Sequence, residues 1–186
     1  MALSRIRPAR NGRTVAVAWL CLSLAAGAPR AAAPDGLGIN LEVERGILAK
    51  LQAAYLFNLA RFVVWPRGEG AVHLCVATDA PLARYARELD GKDLGDGRVL
   101  TVTVGEIDAR TCELAYVHGA TTPAAVRAAQ ASLLAVSDAP DALERGYAIQ
   151  FFVDGGTVRF AAQQDVIARA DYRVSSKLLK LARQLK

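Results

Sequence analysis

Polar and basic positions open the chain, and an apolar run then extends without interruption from Val15 to Ala28, fourteen residues. A membrane-crossing helix needs roughly 20 apolar residues, whereas the hydrophobic part of a secretory signal needs only about 7–15. Small residues follow, ending in Ala31-Ala32-Ala33. The pattern predicts an export signal peptide over 1–33 and a flexible lead-in over 34–41, where Pro34, Gly36 and Gly38 stand.

From Leu41 the apolar positions recur with helical period. Val43, Ile47, Leu48, Leu51, Tyr55, Leu59 and Phe62 fall on one broad stripe. Ala49, Ala53, Leu56, Phe57 and Ala60 form a second apolar side, leaving a narrow polar strip with Lys50, Asn58 and Arg61. A helix covering a sheet needs one stripe, so two apolar sides mean either deep burial or a contact with another protein. The expectation is that the second side contributes to a partner or dimer interface, with Leu56, Phe57, Arg61 and Trp65 as its residues. Trp65-Pro66 should end the helix, because a residue preceding proline avoids the α region.

Beyond residue 70 short apolar runs alternate with helical stretches. Strands are predicted over 71–77, 98–104, 113–117 and 132–136, with helices over 80–89 and 123–130 and a helical turn over 140–145. Segments 147–153 and 157–161 flank Asp154-Gly155-Gly156 and read as a hairpin. Two helices, 165–170 and 176–186, should close the chain. Strand–helix alternation with apolar strands argues for a three-layer α/β fold. Its sheet should be mostly parallel, flanked by helices, with an antiparallel hairpin at one edge. Residues 42–186 are expected to form one domain.

Charge and cysteine content refine this picture. The chain has 23 Lys and Arg against 18 Asp and Glu, but five arginines and no acid lie within residues 1–33. The remainder is balanced, 18 against 18, which argues against a nucleic-acid binder. Of three cysteines, Cys21 lies in the apolar run and is lost with a cleaved signal. Cys75 and Cys112 remain, and in an oxidising compartment two cysteines read as one disulfide. In doubly wound sheets the first and third strands are neighbours, which would bring the two residues together.

Three strands end in polar groups: Thr78-Asp79, His118-Gly119 and Ser137-Asp138. Carboxyl ends of parallel strands are where ligands sit in such sheets, so Asp79, His118 and Ser137 mark a candidate ligand cleft. Each of Asp79, Thr122 and Asp138 also precedes a helix-start proline, and capping alone accounts for them. Ser137 lies in no G-x-S-x-G elbow, and no phosphate-loop spacing occurs. His73, Cys75, Cys112 and His118 could be drawn as a metal set, but a six-residue Cys–His gap is unlike a zinc site. No catalytic residue, metal or cofactor is expected. The last predicted helix sets Lys177, Lys180, Arg183 and Lys186 three residues apart, a possible electrostatic face.

The run Lys50–Pro66 (KLQAAYLFNLARFVVWP) resembles the first helix of the YfiR family, with its K-x-x-A-[FY]-[IL]-[FY] start and W-P close. Leu74-Cys75-Val76, Leu134–Asp138 and Val174–Ala182 resemble the family as well. The resemblance implies a periplasmic, non-enzymatic regulator. Such a protein binds the periplasmic sensor domain of a membrane diguanylate cyclase, restrains cyclic di-GMP synthesis and thereby biofilm formation, dimerises, and responds to redox state through its disulfide. The alternative is a periplasmic small-ligand sensor, or an accessory protein for a membrane receptor or histidine kinase.

Overall fold

A computed structural model describes residues 36–66, 70–119 and 123–185. The expected signal peptide, Thr122 and Lys186 lie outside the described residues.

Helix α1 (Gly36–Phe62) begins inside the expected lead-in, before Leu41. It runs into β1 (Val63–Val64). The Trp65 indole N–H donates to the Ala60 carbonyl at 3.0 Å and folds the chain back at the helix end. Then follow β2 (Ala71–Ala77), α2 (Ala83–Arg87), β3 (Val99–Gly105), β4 (Leu114–Val117), α3 (Ala124–Ala128) and β5 (Leu134–Ser137). The hairpin is β6 (Ile149–Asp154) and β7 (Thr157–Ala162), and α4 (Gln164–Ala168), β8 (Arg173–Val174), α5 (Ser176–Leu179) and β9 (Gln184–Leu185) close the chain.

The main sheet has the order β3-β2-β4-β5-β6-β7-β9. Strands β3, β2, β4, β5 and β6 are parallel, and β7 returns antiparallel to β6. Gly155 and Gly156 both take positive φ (57° and 73°), as a two-residue turn between right-twisted strands requires. β1 pairs with β8 in a separate two-stranded ribbon, with Val63 opposite Val174. The architecture is the expected mixed α/β fold.

Strand alternation divides the interior in two. Leu74, Val76, Leu114, Tyr116, Leu134 and Val136 face α1 and α2, and join Phe151, Phe160, Tyr172 and Leu178 in the larger core. Cys75, Ala115, Val117 and Ala135 face the other way and pack against Ile107, Val126, Ala139, Ala142 and Tyr147.

The closing helix differs from expectation. α5 is one turn, capped by the Ser175 hydroxyl, which accepts from the Leu178 N–H at 3.2 Å. The chain then extends, Arg183 N–H donates to the Phe160 carbonyl at 2.9 Å, and β9 pairs parallel with β7. An exposed strand edge is an unsatisfied row of backbone groups, and covering it outweighs one more helical turn. The predicted three-residue basic ladder therefore does not form. Arg183 instead lies 3.8 Å from Asp154.

Candidate functional site

The sheet order places the topological switch between β2 and β4, with β3 on one side and β5 on the other. Their carboxyl ends carry Asp79, His118 and Ser137-Asp138 side by side, because Val76 pairs with Tyr116 and Val117 with Ser137. Asp138 organises this edge. One carboxylate oxygen lies 2.7 Å from His118 Nδ1, and the other accepts the Gly119 N–H at 3.1 Å. Gly119 has φ +71°, a conformation that suits glycine and lets the chain turn over the carboxylate. Asp138 thus does not cap the following turn as the Asp-Ala-Pro pattern suggests. Ser137 takes that role, its hydroxyl accepting the Ala139 N–H at 3.2 Å.

His118 Nδ1 is the ring nitrogen that meets the Asp138 carboxylate, and Nε2 lies outside this contact. The His118 side chain is about one-third exposed and that of Asp138 one-fifth. Below them the Tyr116 hydroxyl is buried without a hydrogen-bond partner of normal geometry. Burial first, and then the negative charges of Asp138 and Asp79, hold its pKa well above the usual 10.0. Asp79 is exposed, and Leu82, the residue that caps the start of α2, makes no side-chain cap. The edge is therefore rich in acceptors. Ser137, fully buried and engaged with backbone, is not placed to act as a nucleophile.

Cys75 in β2 and Cys112, just before β4, are joined by a disulfide with Cα atoms 5.9 Å apart, closing a separation of 37 residues. Both are buried on the smaller-core side of the sheet. The bond withdraws both thiols from the metal set considered with His73 and His118.

Helix α1 corrects two of the four residues of the expected interface. Leu56 and Trp65, assigned to a contact surface, are 0% and 4% exposed and belong to the larger core. The small residues Ala49, Ala53 and Ala60 beside Leu56 let the helix lie close on the sheet. Phe57 is half-buried against the same core, and Arg61 is exposed. The outward side carries residues of the other stripe: Val43 and Ile47, both more than half exposed, and Leu51 and Phe62. The signal was present as i, i+4, i+8 spacing, but a helix apolar on two sides does not announce which one faces inward.

Among the described residues no helix is long and apolar enough to cross a membrane. A family model described as YfiR/HmsC-like matches residues 49–183, which include β1 to β8 and both disulfide cysteines. No curated protein matches the chain.

Proposed function

The chain belongs to the YfiR/HmsC-like family, a family of periplasmic regulators of diguanylate cyclase signalling rather than enzymes, and from that premise we propose its specific role. The protein is exported by a cleaved N-terminal signal, binds the periplasmic sensor domain of a membrane diguanylate cyclase as a homodimer, and restrains cyclic di-GMP synthesis and biofilm formation. The observation that carries the reading is the family match from the middle of α1 through α5, which covers β1 to β8. The Cys75–Cys112 disulfide supports a redox dependence, since it joins β2 to the entry of β4 directly below the switch point.

Capture of tagged mature protein with its membranes under oxidising conditions tests this. A diguanylate cyclase should co-purify, deletion should raise cyclic di-GMP, and reductant should weaken the capture. Deletion without any change in cyclic di-GMP would refute the reading. The His118–Asp138 pair favours a second reading, a small-ligand sensor at the strand ends. In that case a receptor or histidine kinase should be recovered in place of the cyclase, and His118→Ala should abolish the response while leaving the fold intact.

A further inference from the structure

We propose that the carboxyl ends of the parallel strands form an acidic docking surface for a basic, extended segment of the membrane partner, an inference that rests on the partnership in the reading above and adds its face and its chemistry. Gly105 at the end of β3 pairs with Ala77 of β2, which sets Glu106 beside Thr78 and Asp79. Val117 of β4 pairs with Ser137 of β5, which sets His118 beside Asp138. Glu106, Asp79 and Asp138 therefore stand in one row across four neighbouring strands. At about 4.8 Å between strands the row is roughly 14 Å long, the reach of about four extended residues.

Structural duties do not account for these carboxylates. The sequence pattern assigns Asp79 and Asp138 to helix starts, yet Leu82 stands at the cap of α2 and Ser137 takes the turn that follows β5. Glu106 and Asp79 are exposed, and one-fifth of the Asp138 side chain is open. Among the described residues no lysine or arginine is ion-paired with any of the three, and His118 is the basic side chain bonded to the row. Acids elsewhere hold cations of their own: Asp96 pairs with Arg98, Asp108 with Arg110 and Asp141 with Arg145.

Beneath the row lies a second, independent feature. The Tyr116 hydroxyl is fully buried and has no hydrogen-bond partner. Asp138 and Asp79 both raise its pKa, so it stands within electrostatic reach of both carboxylates. A hydroxyl without a partner and carboxylates without a cation are answered by one kind of ligand, positively charged and carrying several N–H groups, as arginine and lysine side chains are. A single metal ion does not answer them, because among the described residues no three such side chains converge to hold one. Small-molecule sites are concave and bury most of their ligand, whereas this row lies on an open strand edge. A protein segment brings further contact area with it, and its charges speed encounter and select the partner more than they add affinity.

Fluorescence anisotropy of a labelled peptide of alternating arginine and glycine, titrated with the mature protein with its disulfide intact, tests the face. The wild type should bind the peptide, and added salt should weaken the complex. Asp79→Asn with Glu106→Gln should weaken binding about tenfold while leaving the thermal melt unchanged, because both side chains are exposed. Glu42→Gln with Glu44→Gln removes the same charge from α1 and should bind as wild type does. Equal weakening by both pairs would reduce the effect to net charge and overturn the proposal, as would a peptide that does not bind. Spermidine binding more tightly than the peptide would also overturn it, in favour of a free amine. In the membrane capture, the Asp79 and Glu106 double variant should recover less cyclase than wild type, and full recovery would refute the docking role. Failure of the wild type to capture any cyclase would instead refute the partnership, and the peptide would still decide the face.

Discussion

The two faces of the sheet are stabilised by different means. One is covered by a 27-residue helix and α2, and its core is built of large side chains. Tyr55 lies 5.9 Å from both Phe151 and Phe160, and Trp65 lies 6.0 Å from Tyr172. Among the described residues the other face is covered by the five-residue α3 and turns, and its core includes Ala109, Ala115, Ala135, Ala139 and Ala142. Buried alanines remove little apolar area from water, and hydrophobic stabilisation scales with that area. The thin face instead carries the disulfide, which acts by restricting the unfolded chain. Burial holds one side, and a covalent link across a 37-residue separation supports the other.

The sharpest way to break this comparison is to remove the link. The chain-entropy relation gives about 4 kcal/mol for a loop of this length. Cys75→Ser with Cys112→Ser should therefore lower the melting temperature by about 8–16 °C. Wild type melted in reductant should match the double variant. Equal melting temperatures in oxidised and reduced protein would show that the thin face needs no support.

On the thick face Leu56→Ala should cost about 2–5 kcal/mol in denaturant unfolding, because it opens a cavity beneath α1. It should leave self-association of the folded protein as in wild type. A Leu56 variant of normal stability that no longer associates would restore the interface role first expected of this residue.

Alkaline pH should weaken the thick face. Tyr116 and Tyr172 both have pKa values raised above the ordinary 10.0, chiefly by burial, so the folded state favours their neutral forms. Their contribution is fully present below pH 10 and is lost as pH rises beyond it, at about 1.4 kcal/mol per pH unit for each tyrosine. Unfolding free energy should stay nearly level up to pH 9 and fall beyond pH 10, approaching about 2.8 kcal/mol per pH unit for the two tyrosines together, and Tyr172→Phe should remove about 1.4 of that. A flat profile would mean that these rings are not buried.

The smallest effect is expected at the strand ends. Tyr116→Phe removes a hydroxyl that lacks a partner, so stability should stay level or rise by less than about 1 kcal/mol. A clear loss on chemical denaturation would reveal a hydrogen bond from this hydroxyl to Asp138.

Much of this arrangement was legible in the amino-acid sequence. Short apolar runs separated by helix starts specified parallel strands, and Gly155-Gly156 specified the hairpin. Cys75 and Cys112 were expected on neighbouring strands, and they bond there. Local signals misled where two local solutions had equal merit. Asp138 sits correctly for a helix cap, yet His118, twenty residues away, offers its carboxylate a ring N–H that no short-range pattern contains. Leu178, Leu181 and Leu185 keep helical spacing, yet the backbone near Arg183 gains more by pairing with the edge of β7.

By itself, then, the order of apolar and polar residues determined most of the elements, the sheet class and the pairing of the cysteines, because these follow from periodicity, turn chemistry and chain topology. Tertiary structure alone decided which side of α1 is buried, how the chain ends and what Asp138 holds. Both sides of α1 are apolar, and only fit against the sheet separates them. Ala49, Ala53 and Ala60 allow the close approach that seats Leu56 in the core, and the bulkier line of Val43, Ile47 and Leu51 is left facing outward.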